Sequence, residues 1–154
     1  MKKLTNTLIA LAISFSSFAQ VSTTEFEMVK SVFNLEKKAM LTDFLQLSDE
    51  DSQKFWPIYN QYQTEREKVA NTRMSLLNRY AEQYESMTNE QADELVLEAM
   101  NLQKSDLALK KKYYGQVKKA LNAKLATSFW QFEEYVGVAV RYSLFESIPF
   151  VGEM

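Results

Sequence analysis

The chain has 154 residues, of which 46% are hydrophobic and 25% charged, with a formal net charge of −2. A chain of this length can form one domain with a buried hydrophobic core. The chain has no His and no Cys. Their absence rules out the usual zinc, haem and di-iron ligand sets, and also the Ser-His-Asp and Cys-His catalytic arrangements. Paired carboxylates stay conceivable, but nothing in the sequence fixes two of them in one pocket. We predict no metal, no cofactor and no catalysis.

The first twenty residues, MKKLTNTLIALAISFSSFAQ, have the three parts of a secretory signal. Lys2 and Lys3 form the positive end, residues 8–15 the short apolar run, and residues 17–19 the small-x-small cleavage pattern. The alternative, a membrane anchor, is disfavoured because the run is too short to cross a bilayer. We expect cleavage after Ala19, so that residues 1–19 are a signal peptide and residues 20–154 form a single helical domain.

The exported part of the chain is weakly acidic. Removing the two signal lysines from 18 basic residues leaves 16 against 20 acidic residues, a net charge of −4. Nucleic-acid binding needs a dense basic surface, so this balance argues against it.

Helical periodicity is common along the exported part and strand-type alternation is scarce, which predicts an all-α fold. A first helix is expected over about 24–40, followed by the linking segment LTDFLQ. A long second helix should run from the cap residue Ser48 to about Tyr84. Thr88 and Gln91 then form a full capping box that begins a third helix.

The third helix has two adjacent apolar rows. The first contains Leu95, Ala99, Leu102, Leu109 and Tyr113, and the second contains Val96, Met100, Leu107 and Tyr114. Such a wide apolar face can touch two neighbours, so we expect self-association, most simply as a homodimer.

A last helix is expected to begin near Asn122. Its core row contains Leu125, Phe129, Phe132, Val136 and Val140. From Gly137 the chain turns strongly apolar and alternates, so helix and strand compete; we predict helix to about Glu146, ended by Pro149. The apolar tail, about 137–154, is interrupted by Arg141 and too short for a membrane span, so we expect it to dock on the domain or on a partner.

Pro57 lies inside the pattern of the second helix, in KFWPIYNQYQ. One interpretation is a kink, because proline removes the backbone bond to the carbonyl of Gln53. The other is that the helix begins at Pro57, where the missing N–H costs little, and that residues 48–54 form a separate turn.

Two arginines fall in line with the aromatic row of the second helix. Arg66 and Arg73 lie beside Tyr59, Tyr62 and Tyr80 at helical spacing. In one interpretation the arginines lie at the edge of a packed seam, with heads in water and acids of a facing helix as partners. In the other, all five side chains form an open face that binds varied polypeptide segments.

The basic run KKKYYGQVKK adds Lys110, Lys111 and Lys118 as weaker binding candidates. Lysines near a helix C-terminus usually complement the helix dipole and stay solvated. They would otherwise contact acidic clients or a lipid surface.

The two capped helix starts are alike: LSDED at Leu47 and MTNEQ at Met87 lie 40 residues apart. They resemble the paired LTxxQ motifs of the Spy/CpxP family of small exported helical proteins of the bacterial periplasm. LSDEDSQKFWPIYNQY and KKALNAKLATSFWQFE resemble segments of that family's uncharacterised relatives in Bacteroidetes and proteobacteria. The resemblance covers roughly residues 41–134, although neither start is a full LTxxQ.

The resemblance implies a bent helical hairpin with shorter flanking helices, dimerising into a thin cradle in the periplasm. It implies ATP-independent, chaperone-like binding of unfolded or stressed envelope proteins. The alternative is an envelope-stress signalling adaptor that binds a sensor kinase or anti-sigma partner. A third hypothesis is an envelope scaffold that docks through its apolar tail.

Overall fold

The computed structural model describes residues 23–152, and the side-chain surroundings of residues 33–146 and 148–152. The described part contains four α-helices: α1 Thr23–Leu45, α2 Asp49–Gln83, α3 Asn89–Ala120 and α4 Ala123–Ser147, with a 3₁₀ turn at Tyr84–Ser86. It contains no strand, which confirms the all-α class. The predicted signal peptide and its cleavage site lie outside the described residues.

The predicted caps fix where the helices begin. The Ser48 hydroxyl accepts a hydrogen bond of 3.1 Å from a backbone N–H in the first turn of α2. At α3 the Thr88 hydroxyl accepts from the Gln91 N–H at 3.2 Å, and the Gln91 side chain accepts from the Thr88 N–H at 2.9 Å. The Asn122 side chain accepts from a first-turn N–H of α4 at 2.9 Å. These bonds satisfy donors that every helix start leaves free.

The predicted linker LTDFLQ is helical instead, because α1 continues to Leu45. The segment contains neither Gly nor Pro, and Leu41 and Leu45 lie one turn apart with only 0% and 7% of their surface exposed. Burial of that row favours extending the helix. It ends at Gln46, which adopts the left-handed conformation (φ 46°) typical of a helix C-terminus.

Helix α2 runs through Pro57 without interruption, so the interpretation of residues 48–54 as a separate turn is wrong. Pro57 is exposed, whereas Phe55 and Tyr59 beside it are buried and stack with ring centroids 5.7 Å apart. Aromatic packing on one face offsets the backbone bond that proline removes. The bend expected at Pro57 stays a prediction.

Two compact units divide the chain, and residues 47–127 form the first. Within it α2 and α3 pack as an antiparallel hairpin. Near the open end, Tyr62 meets Tyr113 edge-on with ring centroids 5.3 Å apart, and near the turn the Arg79 guanidinium hydrogen-bonds the Glu98 carboxylate. The core row of α3 is buried as predicted at Leu95, Leu102, Leu109 and Tyr113.

The second unit contains the described residues up to Gln46 and from Ser128 onward. The Lys37 ammonium lies 2.8 Å from the Glu133 carboxylate, and the two side chains are 0% and 1% exposed. The rings of Phe44 and Phe132 lie 5.8 Å apart beside this pair. The tail is helical to Ser147, as predicted. The single domain predicted for residues 20–154 stays a prediction.

The buried pair Lys37–Glu133 makes stability sensitive to removal of one partner. Lys37→Met removes the ammonium that lies 2.8 Å from the buried Glu133 carboxylate, so we expect a loss of about 3–5 kcal/mol in the free energy of unfolding. The double change Lys37→Met/Glu133→Leu replaces the pair by apolar contacts and should recover most of that loss. Urea unfolding followed by circular dichroism measures both.

The exposed pair of Lys54 and Glu50, 2.6 Å apart with side chains 46% and 79% exposed, provides the matched control. Lys54→Met should leave the unfolding midpoint unchanged, because water screens such pairs. A double variant as unstable as Lys37→Met would contradict the role given to the buried pair.

Candidate functional site

Two of the predicted binding tyrosines are interior residues. Tyr59 and Tyr62 are 1% and 0% exposed. The Tyr59 hydroxyl accepts a hydrogen bond of 2.6 Å from the Gln63 amide, and the Tyr62 ring packs on Tyr113. Both rings therefore belong to the core, and neither is available on an open face of this structure.

The other predicted residues of that row, Arg66, Arg73 and Tyr80, are half-buried. The Tyr80 ring contacts Tyr84, with centroids 5.7 Å apart. Part of each arginine side chain is therefore covered, and the Nε atom of Arg66 is buried. The choice between the seam-edge and open-face interpretations of the arginines stays a prediction.

The basic run of α3 divides between interior and surface. Lys110 is 5% exposed, and its ammonium lies 2.9 Å from the Asp106 carboxylate one turn earlier. Lys111 and Lys118 are exposed, and Lys118 lies in the last turn, where a cation complements the helix dipole. Only the latter two lysines are open to a partner.

A polar cluster that the sequence did not predict joins α2 to α3. The Glu65 carboxylate accepts hydrogen bonds from the Lys112 ammonium at 2.6 and 2.8 Å and from the Tyr113 hydroxyl at 2.9 Å. The Lys112 ammonium also lies 5.0 Å from the centre of the Tyr113 ring. These bonds hold two neighbouring helices in one register.

Each pKa in the cluster shifts in the direction that its contacts dictate. The hydrogen bonds from Lys112 and then from Tyr113 lower the pKa of Glu65. Burial, followed by the hydrogen bond to Glu65, raises the pKa of Tyr113, and the bond to Glu65 raises the pKa of Lys112. All three groups thus keep their ordinary charge states near neutral pH.

An open groove of about 480 Å³ lies beside the cluster. It is lined by Glu65, Lys68, Val69, Ser105, Ala108, Leu109 and Lys112. The lining combines the apolar side chains of Val69, Ala108 and Leu109 with charges of both signs. The groove is too open to enclose a small ligand, which matches a structural role for the cluster.

Acid should weaken the cluster. A carboxyl whose pKa is lowered in the folded state stabilises it above the ordinary pKa near 4.5, and that stability is lost as the pH falls through the lowered pKa. Glu65→Gln should therefore melt a few degrees below the parent chain at pH 7, and the difference should shrink below pH 4.5. Thermal scans at several pH values measure this.

Glu82→Gln serves as the control, because Glu82 is exposed on the same helix. Its melting temperature should follow that of the parent chain at every pH. A Glu65→Gln difference that stays constant from pH 7 to pH 3 would contradict the electrostatic explanation.

An exposed aromatic row lies on α4. Tyr135, Val138, Tyr142 and Phe145 follow one another at intervals of three and four residues, so they share one side of the helix. They are 46%, 54%, 62% and 65% exposed. We call these four residues the α4 face.

The α4 face has both apolar and charged neighbours along the chain, the charged ones including Arg141 and Glu146. Phe150 and Val151, just beyond the helix, are also 65% and 63% exposed. A hydrogen bond to the Glu146 carboxylate raises the pKa of the Tyr142 hydroxyl, which keeps this ring neutral. An apolar row of this kind is the part of the described surface best suited to binding another polypeptide.

Sequence reasoning found the neighbouring row but missed this one. It placed Phe129, Phe132 and Val136 in the core, and all three are buried. The residues one position away repeat with the same spacing from Tyr135 onward, so the signal for a second row was present in the sequence. The sequence analysis expected only that the apolar tail as a whole docks on the domain or on a partner, and it did not single out this row.

The described residues offer no group of three or more acidic side chains able to hold a metal ion. None of the helices, over the part of the chain described, has a stretch long and apolar enough to cross a membrane. No family model, curated protein or solved structure gives a significant match to the chain. The resemblance to the Spy/CpxP family therefore stays a prediction from the motifs.

Proposed function

We propose that the protein is an exported, periplasmic binding protein of the Spy/CpxP type, without catalysis or cofactor. It binds unfolded or stressed envelope proteins without ATP and acts as a homodimer. The observation that carries this proposal is the α4 face, a contiguous exposed row of three aromatic side chains and a valine.

The chemistry of the α4 face suits unfolded clients. Tyr and Phe side chains offer large apolar surfaces at low entropic cost, and the Tyr hydroxyls accept varied polar neighbours. A row on the outside of one helix has no walls to select one small molecule. It fits apolar chain segments of varied sequence, which unfolded proteins expose and folded ones bury.

The α2–α3 hairpin supports the family assignment within the proposal. Both motif copies, at Ser48 and at Thr88, cap the helices that form this hairpin. Exposed Lys111 and Lys118 are the weaker candidates for contact with a partner. Arg66 and Arg73, being half-buried, would contribute charge from the edge of the hairpin.

A signalling adaptor would use the same face differently. An adaptor binds one native partner, a sensor kinase or anti-sigma protein, at fixed stoichiometry, whereas a chaperone binds many denatured chains. A scaffold would lose its location when the tail is removed. The number and state of the partners therefore separate these functions.

Aggregation of a chemically denatured client, followed by light scattering, tests the proposal. The chain from Gln20 should suppress aggregation at near-stoichiometric ratio, and Tyr142→Ser/Phe145→Ser should weaken suppression several-fold, because it removes two exposed aromatic contacts. Measuring the Arg66→Ala/Arg73→Ala variant at low and high salt shows how much of the suppression depends on electrostatic attraction to these arginines.

Leu35→Ser is the matched control for Phe145→Ser, since the two side chains are 67% and 65% exposed. It should leave suppression unchanged. Equal losses in both variants would mean that general apolarity, not the α4 face, binds clients. No suppression with any of several clients would reject the chaperone in favour of the adaptor.

A further inference from the structure

Three residues of the second apolar row of α3 are exposed in the chain, and the fourth, Tyr114, is half-buried. Val96, Met100 and Leu107 are 52%, 60% and 62% exposed, while the first row packs against α2 in the hairpin. Exposed Gln103 lies between Met100 and Leu107 on the same side. We call Val96, Met100, Gln103 and Leu107 the outer row.

Charge changes sign along α3. The first turns contain exposed Glu90 and Asp93, and the C-terminal half contains exposed Lys111 and Lys118. By helical spacing, Asp93, Lys111 and Lys118 lie along one flank of the outer row. One helix thus presents an apolar row with an acidic end and a basic end.

We propose that the outer row is the self-association surface of the protein, and that it pairs with the outer row of a second copy in antiparallel orientation about Gln103. The proposal gives a surface and a register to the homodimer of the proposed function, and rests on that part of it. In this arrangement Met100 of one copy lies opposite Leu107 of the other.

Charge complementarity selects a second copy as the occupant and fixes its direction. Antiparallel pairing brings Asp93 and Glu90 of one copy toward Lys111 and Lys118 of the other, at both ends of the contact. Parallel pairing would place the lysines of both copies at one end of the contact and the acids of both copies at the other, on opposite flanks, so that no acid would meet a lysine. A two-fold axis across Gln103 satisfies all four ends at once.

The size of the outer row determines how strongly the two copies associate. Three apolar side chains and their flanks remove far less than the roughly 800 Å² per partner of a standard stable interface. We therefore expect a reversible dimer that forms with rising concentration and weakens with salt, since its end contacts are exposed ion pairs.

Sedimentation velocity of the exported chain without client tests the surface. The parent chain should shift from monomer to dimer with concentration. Met100→Glu/Leu107→Glu should raise the dissociation constant by at least roughly tenfold, because it would desolvate four carboxylates across the axis. Leu35→Glu, at a site 67% exposed and outside the outer row, should leave it unchanged.

The absence of native cysteine makes the register directly measurable. A single Gln103→Cys should form an intermolecular disulfide under mild oxidation, because antiparallel pairing brings the two copies of this position within the roughly 4.4–6.8 Å that a disulfide needs. Val96→Cys should not, since its two copies would lie about 21 Å apart along the axis.

Charge reversal tests the end contacts. Lys111→Glu should weaken the dimer, and adding Asp93→Lys should restore it. A chain that stays monomeric at every concentration, a Val96→Cys disulfide without a Gln103→Cys one, or failure of the reversal to restore dimerisation would overturn the proposal. Client binding is not measured in these experiments, so their failure and that of chaperone activity are distinguishable.

Discussion

A pair of helices has only one shared seam, and this constraint governs the surface of the molecule. In the α2–α3 hairpin the seam takes Tyr62, Leu109 and Tyr113, and the Glu65 carboxylate ties the hydroxyl of Tyr113 to the ammonium of Lys112. Apolar residues on the outer side of either helix have no room in that seam. They stay exposed, which is why the hairpin presents an outer row on α3.

Polar pairs help to hold the helices of this chain together in place of disulfides. The chain has no cysteine, so disulfides cannot hold its helices. Lys37 and Glu133 instead form a buried ion pair between α1 and α4. Such a pair adds little net stability over apolar contacts, because both charges lose their water. We infer that its value is selectivity, because a shifted helix would separate the two buried charges.

The helix starts could be predicted because they depend on local chemistry. The contacts between helices could not, because they depend on packing between distant parts of the chain. Ser48, Thr88 and Asn122 begin helices because a side-chain oxygen satisfies a nearby N–H, and that bond needs no other part of the fold. Periodicity shows which side chains share a face but not which face meets another helix. Tyr62 and Tyr142 therefore look equivalent in the sequence, although one is fully buried and the other 62% exposed. The prediction that LTDFLQ is a linker was wrong for the same reason, because burial of Leu41 and Leu45 favours continuing helix α1 through this segment.

The separation of partners along the chain also orders how the fold can form. Helices α2 and α3 are neighbours joined by a short turn, so their contacts close small loops and can form early. Lys37 and Glu133 lie 96 residues apart, and joining them before the hairpin exists would cost far more chain entropy. Once the hairpin has formed, most of the residues between Lys37 and Glu133 are already folded. We therefore expect the hairpin to act as the folding nucleus, with α1 and α4 brought together last.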